Sequence, residues 1–244
     1  LEIYASRIER EYGVKIKMGS PKVAYIETIA QPYRFDYLHK KQSGGQGQYG
    51  RVIGVVEPLP QSRCLEVEFS NELVGNHIPS CHVPSIRKGF YEAIVKGGLS
   101  GHRVSGIRFR LQDGDHHIVD STEIAFILTA RGAMRGAFEC GQWHILEPWM
   151  LVEITVPSEY AQSVTSQLGR MSALMKGQKT KDDLSIIECE APLSQMFGYS
   201  TTLRSNTKGK GEFSMEYCRC APVRQDVANE LIAAHQDELA RKIR

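Results

Sequence analysis

Two short stretches of this chain hold side chains whose types and spacing suit chemistry. The first, from His39 to Val52, reads HKKQSGGQGQYGRV. Gly45, Gly47, Gly50 and Val52 fit the G-x-G-x-x-G-x-V pattern that covers nucleotide phosphates in kinases, and the three glycines alone fit the dinucleotide fingerprint. A dinucleotide loop opens a helix whose N-terminus faces the pyrophosphate, whereas Arg51 to Val56 is a β-branched run of strand character. A kinase loop needs a strand lysine downstream, an H-R-D catalytic loop and a D-F-G metal site, and the sequence has none of them. The stretch therefore reads as a hairpin with a glycine-rich tip. Lacking Cβ atoms, Gly44, Gly45 and Gly47 let backbone amides, Gln46, Gln48 and Tyr49 approach a partner closely, while His39, Lys40 and Lys41 place positive charge at its base. That chemistry suits a phosphate backbone and exposed bases. It equally suits a flexible turn with solvated charges.

The second stretch, DGDHHIVDS, sets His116 and His117 beside Asp113, Asp115 and Asp120. Histidine near carboxylates is an ingredient of acid–base or metal chemistry, but no serine or cysteine nucleophile stands in a matching setting, and no catalytic residue is assigned. Two readings remain. Asp120 caps the next helix with Glu123 reaching back, as in a capping box, or the turn is a contact loop at the same end of the domain as the glycine tip. No G-x-x-x-x-G-K-[ST] occurs, so no nucleotide cofactor is expected to bind through a P-loop in these residues. Cys218 and Cys220, one residue apart on an expected strand, would need help from elsewhere to bind metal, so reduced thiols are the expectation and no metal site is assigned.

The surrounding elements follow from periodicity. Leu1, Tyr4, Ala5, Ile8 and Tyr12 form one stripe of a helix ending at Gly13, and an amphipathic helix that opens a chain suggests missing upstream residues. Val14, Ile16 and Met18 alternate as a short strand before Gly19-Ser20-Pro21. Strands are expected at 23–29, 33–37, 51–57, 65–69 and 104–111, with a helix from Pro84 to Gly97, a turn over 112–117 and a helix after Asp120 burying Ile124, Ile127, Leu128, Met134 and Phe138. After Pro148 the order is a strand to Val156, a helix capped by Ser158, a strand near 171–175, a loop over Lys176–Lys181, a strand at 186–191, a helix from Ser194 to Arg204 and a strand at 212–217. This is the split β-α-β-β-α-β, ferredoxin-like plan. Val227, Leu231, Ala234 and Leu239 mark a terminal helix. The chain thus reads as α+β in two domains, which its 244 residues can supply with two cores. A net charge of +2 confines any nucleic-acid contact to local patches, and no apolar run reaches membrane-spanning length.

LEIYASRIEREYG, HKKQSGGQGQYGRV, DGDHHIVDSTEIAF and APLSQMFGYSTTLRSNTKGKGEFSMEY together resemble, in that order, the C-terminal part of the elongation factor G family, and SGHRVSGIRFRLQDG looks closer to its mitochondrial than to its bacterial members. The resemblance implies the end of domain III at 1–18, a ribosomal-protein-S5-like domain IV at 19–144, a ferredoxin-like domain V at 145–221 and a C-terminal helix at 222–244 that packs back near domain IV. It implies a monomeric, ribosome-dependent GTPase of the mitochondrial matrix that promotes movement of tRNA and mRNA, with GTP and magnesium in an upstream domain. Gly44, Gly45, Gln46, Gly47, Gln48, Tyr49, His116 and His117 would touch tRNA and mRNA in the small-subunit decoding centre. Lys40, Lys41, Arg170, Arg204, Lys208 and Lys210 would meet RNA phosphates, the last four towards the GTPase-associated rRNA of the large subunit. The sequence departs from the pattern at Gln46, where some bacterial members carry arginine, and at Leu168-Gly-Arg-Met-Ser-Ala, where Arg170 is the remaining basic residue. A ribosome-recycling paralogue and a non-enzymatic ribosome-binding or assembly module are the alternative readings.

Overall fold

The structure, a computed structural model, describes residues 2–15, 22–42 and 47–243. Helix α1 (Glu2–Tyr12) opens it and ends at Gly13, whose φ of +66° suits glycine. Tyr4 and Tyr12 of its expected stripe are exposed. Val14 lies in irregular chain rather than in the expected short strand, and Ile16 and Met18 fall outside the described residues. Strands β1 (Ile26–Ile29), β2 (Tyr33–Lys41), β3 (Gln48–Pro58) and β4 (Val67–Asn71) precede α2 (Val83–Ala93), and β5 (Ile107–Asp115) and α3 (Glu123–Cys140) lead into β6 (Trp143–Pro157). The chain continues with α4 (Ser158–Arg170), β7 (Leu174–Lys181), β8 (Leu184–Pro192), α5 (Leu193–Met196), α6 (Tyr199–Asn206), β9 (Glu212–Pro222) and α7 (Gln225–Ile243).

In the first unit, β2, β3, β5 and β4 form a sheet in that order, antiparallel except for the parallel β4–β5 pair. Alternation turns Val52 and Val56 of β3, and Ile107, Phe109 and Leu111 of β5, towards Ile86 and Phe90 of α2 and Phe126 and Met134 of α3, all fully buried in one core. Each such side chain contributes roughly 1.5–3 kcal/mol of burial. Helix α3 is apolar on more than one side, so its periodicity leaves the buried face undecided. The small residues Ala125, Ala130, Ala133 and Ala137 settle it, because they let α2 and the sheet approach closely; Ile124, expected inside, is 63% exposed.

The second unit runs β6, α4, β7, β8, α5 with α6, and β9, the expected split plan. Its sheet order is β7, β8, β6, β9, every pair antiparallel. Val152, Ile154, Val164, Leu168, Ile187, Tyr199 and Leu203 form its core. Several local expectations are corrected here. Lys176–Lys181 is not a loop but part of β7, an edge strand exposed at every position; its backbone pairs with β8 although no apolar alternation announces it. The hairpin turn is Asp182-Asp183, Asp182 having a φ of 54°. Ser158 begins α4 instead of capping it, with Pro157 in the cap position and no side-chain cap bond. The helix expected from Ser194 to Arg204 is broken at Phe197-Gly198, where Gly198 has a φ of +75°.

The two units share strand β6, and the expected boundary between His144 and Ile145 falls inside it. Leu146 pairs with Ile26 of β1 on one edge and with Pro222 of β9 on the other. The base of the first unit is organised by Glu27, which is fully buried. Its carboxylate accepts hydrogen bonds from the Leu99 amide (3.0 Å), the Ser100 amide (2.8 Å) and hydroxyl (2.9 Å), and the His102 amide (3.1 Å). A Cβ on Gly97 would collide with that carboxylate, and His235 of α7 lies against Gly101 of the same loop.

Candidate nucleic-acid interface

Strands β2 and β3 pair antiparallel as far as Lys41 and Gln48, next to Gly47, and a β-bulge brings the histidine turn beside that end of the ladder. Ile53 pairs with Asp113 but Gly54 pairs with Leu111, so Gln112 is the extra residue on β5. Without the bulge, Asp113 and Asp115 would point to the same face as Leu111, into the core. The one-residue shift sends Gly114 inward instead. Asp115 then accepts a bond from the Tyr49 hydroxyl at 2.9 Å, and Asp113 pairs with His77 at 2.8 Å. The turn expected over 112–117 is accordingly displaced, since residues 112–115 belong to β5.

Asp120 pins the two loops together. It does not cap α3, as expected; Thr122 does, its Oγ1 accepting from the Ala125 amide at 3.2 Å. Asp120 reaches across 73 residues to accept from the Gly47 amide at 3.2 Å, and its carbonyl accepts from the Tyr49 amide at 3.0 Å. Ser121 completes the clamp by donating to the Tyr49 carbonyl at 2.8 Å and accepting from the His117 amide at 2.9 Å. Gly47 is required by the close approach: a Cβ there would lie 2.8 Å from Asp120 Cγ.

The structure separates the two histidines. His116 Nδ1 meets the His77 carbonyl at 2.7 Å and is the donor, since a carbonyl only accepts. Its ring is thus tied to a neighbouring loop. His117 stands with the glycine hairpin, its ring 6.1 Å from that of Tyr49. His117 Nδ1 receives the Asp120 amide at 3.3 Å, an arrangement that leaves the proton of the neutral ring on Nε2. Asp120 Oδ2 lies 3.4 Å from the same nitrogen. Gln48 bonds to His39 through Oε1 at 3.0 Å. Lys40, Lys41, Gly47, Gln48, Tyr49, His117 and Asp120 line one depression of about 210 Å³. Gly44, Gly45 and Gln46, also expected at the tip, lie outside the described residues.

Charge pairing marks out the tip cations. On the open face of the same sheet Arg108 bridges Glu57 and Glu68, Arg110 bridges Glu57 and Glu72, and Arg63 bridges Glu66 and Glu68. The Arg110 guanidinium holds the Glu72 carboxyl down to about 2. Lys40 and Lys41 are exposed and have no ion-pair partner among the described residues. Ile118, beside His117, is 94% exposed. Nothing local in the sequence announced Asp120 as a pin or His39 as the partner of Gln48.

Residues 21–142 match the family model described as elongation factor G, domain IV, and residues 144–231 match the one described as elongation factor G C-terminus. The chain belongs to the elongation factor G family. It is 52% identical over 236 residues to the mitochondrial elongation factor G of Culex quinquefasciatus and to that of Aedes aegypti, which covers 97% of this chain and 32% of each relative. The Drosophila melanogaster relative of the same name is 52% identical over 237 residues. A crystal structure from Thermus thermophilus superposes with a TM-score of 0.85 at 30% identity, covering 97% of this chain and 35% of that one. The chain thus spans about a third of the length of these family members.

The cations expected in the second unit of this elongation factor G chain are not gathered into one loop. Arg170 ends α4, Arg204 lies in the last turn of α6, and Lys208 and Lys210 follow it, all exposed. Thr207, fully buried, fixes the turn that presents the two lysines. Its hydroxyl donates to the Leu203 carbonyl at 2.8 Å and accepts from the Gly211 amide at 2.9 Å. Lys210 stands 3.8 Å from Glu159, a loose and exposed pair. Cys218 and Cys220 also part company. Cys218 is the extra residue of a second bulge, since Met150 pairs with Tyr217 and Trp149 with Arg219. Among the described residues no group of three or more His, Cys, Asp or Glu is placed to hold a metal ion.

Proposed function

We propose that this chain is the lever portion of a mitochondrial-type elongation factor G, a ribosome-dependent GTPase that moves tRNA and mRNA through the ribosome in the mitochondrial matrix. The observation that supports this reading best is the pinned tip. Two loops distant in sequence are clamped by Asp120 and Ser121 so that Gln48, Tyr49 and His117 surround one depression, with Lys40 and Lys41 beside it. Such a tip suits the codon–anticodon helix in the decoding centre. His117 and Gln48 offer hydrogen bonds to bases or ribose, the glycines let backbone follow the helix, and the two lysines neutralise phosphates. The work is binding and steric exclusion, with no bond made or broken at the tip. Arg170, Arg204, Lys208 and Lys210 face the large-subunit rRNA in this reading. GTP and magnesium bind in a domain outside these residues, and the factor acts as a monomer.

The test is pre-steady-state translocation by the full-length factor. His117→Ala and Gln48→Ala are expected to slow tRNA movement at least tenfold and leave ribosome-stimulated GTP hydrolysis nearly intact. Equal loss of both activities would overturn the assigned role of the tip. Normal translocation by both variants, with impaired splitting of ribosomes into subunits, would assign the chain to the recycling paralogue.

A further inference from the structure

Two cysteines of the two units meet where the units join. Cys64 follows the short helical turn between β3 and β4, and Cys220 lies near the end of β9, both nearly inaccessible in a small cluster with Ile26 and Leu146. The bulge at Cys218 shifts the register so that Tyr217 and Cys220, opposite Met150 and Pro148, fall on one face of β9. The Tyr217 hydroxyl is consequently 3.3 Å from Cys220 Sγ and 3.4 Å from Cys64 Sγ, so the two sulfurs flank one hydroxyl inside the same buried cluster. Gln61 spans the same joint by donating to the Cys220 carbonyl at 3.0 Å. Beside the thiols lies a mainly apolar cavity of about 190 Å³, lined by Ile29, Leu59, Cys64, Leu146, Cys220 and Pro222. A peroxide molecule, only a little larger than a water with its ~30 Å³ share, fits within it.

We propose that Cys64 and Cys220 are an oxidisable pair in which hydrogen peroxide closes a disulfide across the joint. One thiolate attacks a peroxide oxygen, the O–O bond breaks and hydroxide leaves, giving a sulfenic acid. The second thiolate attacks that sulfur, the S–S bond forms and a second hydroxide departs. The two thiol protons convert the hydroxides to water, and two electrons have passed from sulfur to oxygen. Burial raises the pKa of the Cys220 thiol, and both sulfurs are nearly inaccessible to solvent, so the pair reacts more slowly than an exposed thiol. Its neighbouring sulfur then captures the sulfenic acid before further oxidation. Cys81, Cys140 and Cys218 are exposed, and none of them belongs to this cluster. The crosslink ties the 59–66 segment of the first unit to β9 of the second, whatever the tip binds.

The experiment treats the full-length protein with graded hydrogen peroxide, blocks free thiols and maps peptides without reduction. The expected product is a peptide pair joined through Cys64 and Cys220, lighter by two hydrogens and separated by dithiothreitol. It should form later than oxidation of the exposed cysteines and persist when Cys81, Cys140 and Cys218 are all replaced by serine. Cys64→Ser and Cys220→Ser should each abolish it. Recovery of Cys64 and Cys220 as free thiols or as sulfinic acids, with the exposed cysteines fully oxidised, would overturn the proposal. So would a crosslink from either residue to a different cysteine.

Discussion

At the base of the first unit Glu27 accepts bonds from Leu99, Ser100 and His102, and at its tip Asp120 accepts from Gly47. Both sites use a carboxylate to tie down backbone amides of a glycine-containing loop, and in both an added Cβ on the glycine, Gly97 or Gly47, would strike that carboxylate. The surroundings differ. Glu27 is sealed from solvent, where each amide left without an acceptor is costly, whereas Asp120 is partly exposed and its bond to the buried Gly47 only partly covered, so that water can reach the carboxylate side of that bond. The same device therefore serves stability at the base and placement at the tip. A lever needs this division, because its working end must offer polar groups to a partner while its anchor must not yield.

Glu27→Ala should challenge this division most severely. It leaves the amides of Leu99, Ser100 and His102 without their acceptor, while the Ser100 hydroxyl keeps His102 Nδ1 at 2.9 Å, and at ~1–3 kcal/mol for each unsatisfied group the fall in unfolding free energy should exceed ~3 kcal/mol. Urea denaturation measures it, and a fall below ~1 kcal/mol would show that base and tip are equivalent. Gly47→Ala comes next, overpacking the Asp120 contact by about 1–3 kcal/mol and slowing translocation by more than its stability loss alone would account for. Asp120→Ala should cost only ~0.5–1.5 kcal/mol of stability, yet approach the translocation defect of His117→Ala because it frees the Gly47 amide from the histidine turn while the Ser121 bonds remain. A variant of Asp120 that unfolds as readily as that of Glu27 would argue against the division of roles.

Smaller still are the electrostatic effects. Replacing Lys40 or Lys41 by Ala should lower the slope of ribosome binding against salt concentration by about one counterion each. The His77–Asp113 pair supplies a pH signature. Bonding to Asp113 raises the pKa of His77, so its share of stability is complete below the unfolded value of 6.5 and is lost as pH rises through the folded value. Asp113 is lowered by His77, so its share is present above the unfolded value of 3.8 and is lost as pH falls through the folded value. The pair is thus strongest between those two limits, and His77→Ala should lower the unfolding free energy inside that window and flatten its decline above 6.5 and below 3.8, without moving the Glu27 effect.

Much of the architecture was readable from local pattern. The β-branched run of β3, the alternation of β5, the apolar spacing of α4 and the order of elements in the second unit follow from periods of two and 3.6 residues. The glycine tip and the histidine turn were visible as motifs, and four ordered stretches sufficed to suggest the family. What local pattern misplaced shares one cause. Edge strand β7 is held by backbone pairing to β8 and has no apolar face to reveal it. Asp120 looked like a cap because it and Glu123 have capping-box spacing, yet Thr122 takes the cap and the Asp120 carboxylate binds the Gly47 amide. The bulges at Gln112 and Cys218 reverse the alternation from which faces are read, sending Asp113 and Asp115 out of the core and parting Cys218 from Cys220. The elements, the two cores and the residues available for contact were written in the order of residues along the chain, because they depend on interactions within a few positions. Which loop clamps which was settled by the packed fold alone, because a hydrogen bond across 73 residues depends on the sheet and helices that bring its partners together.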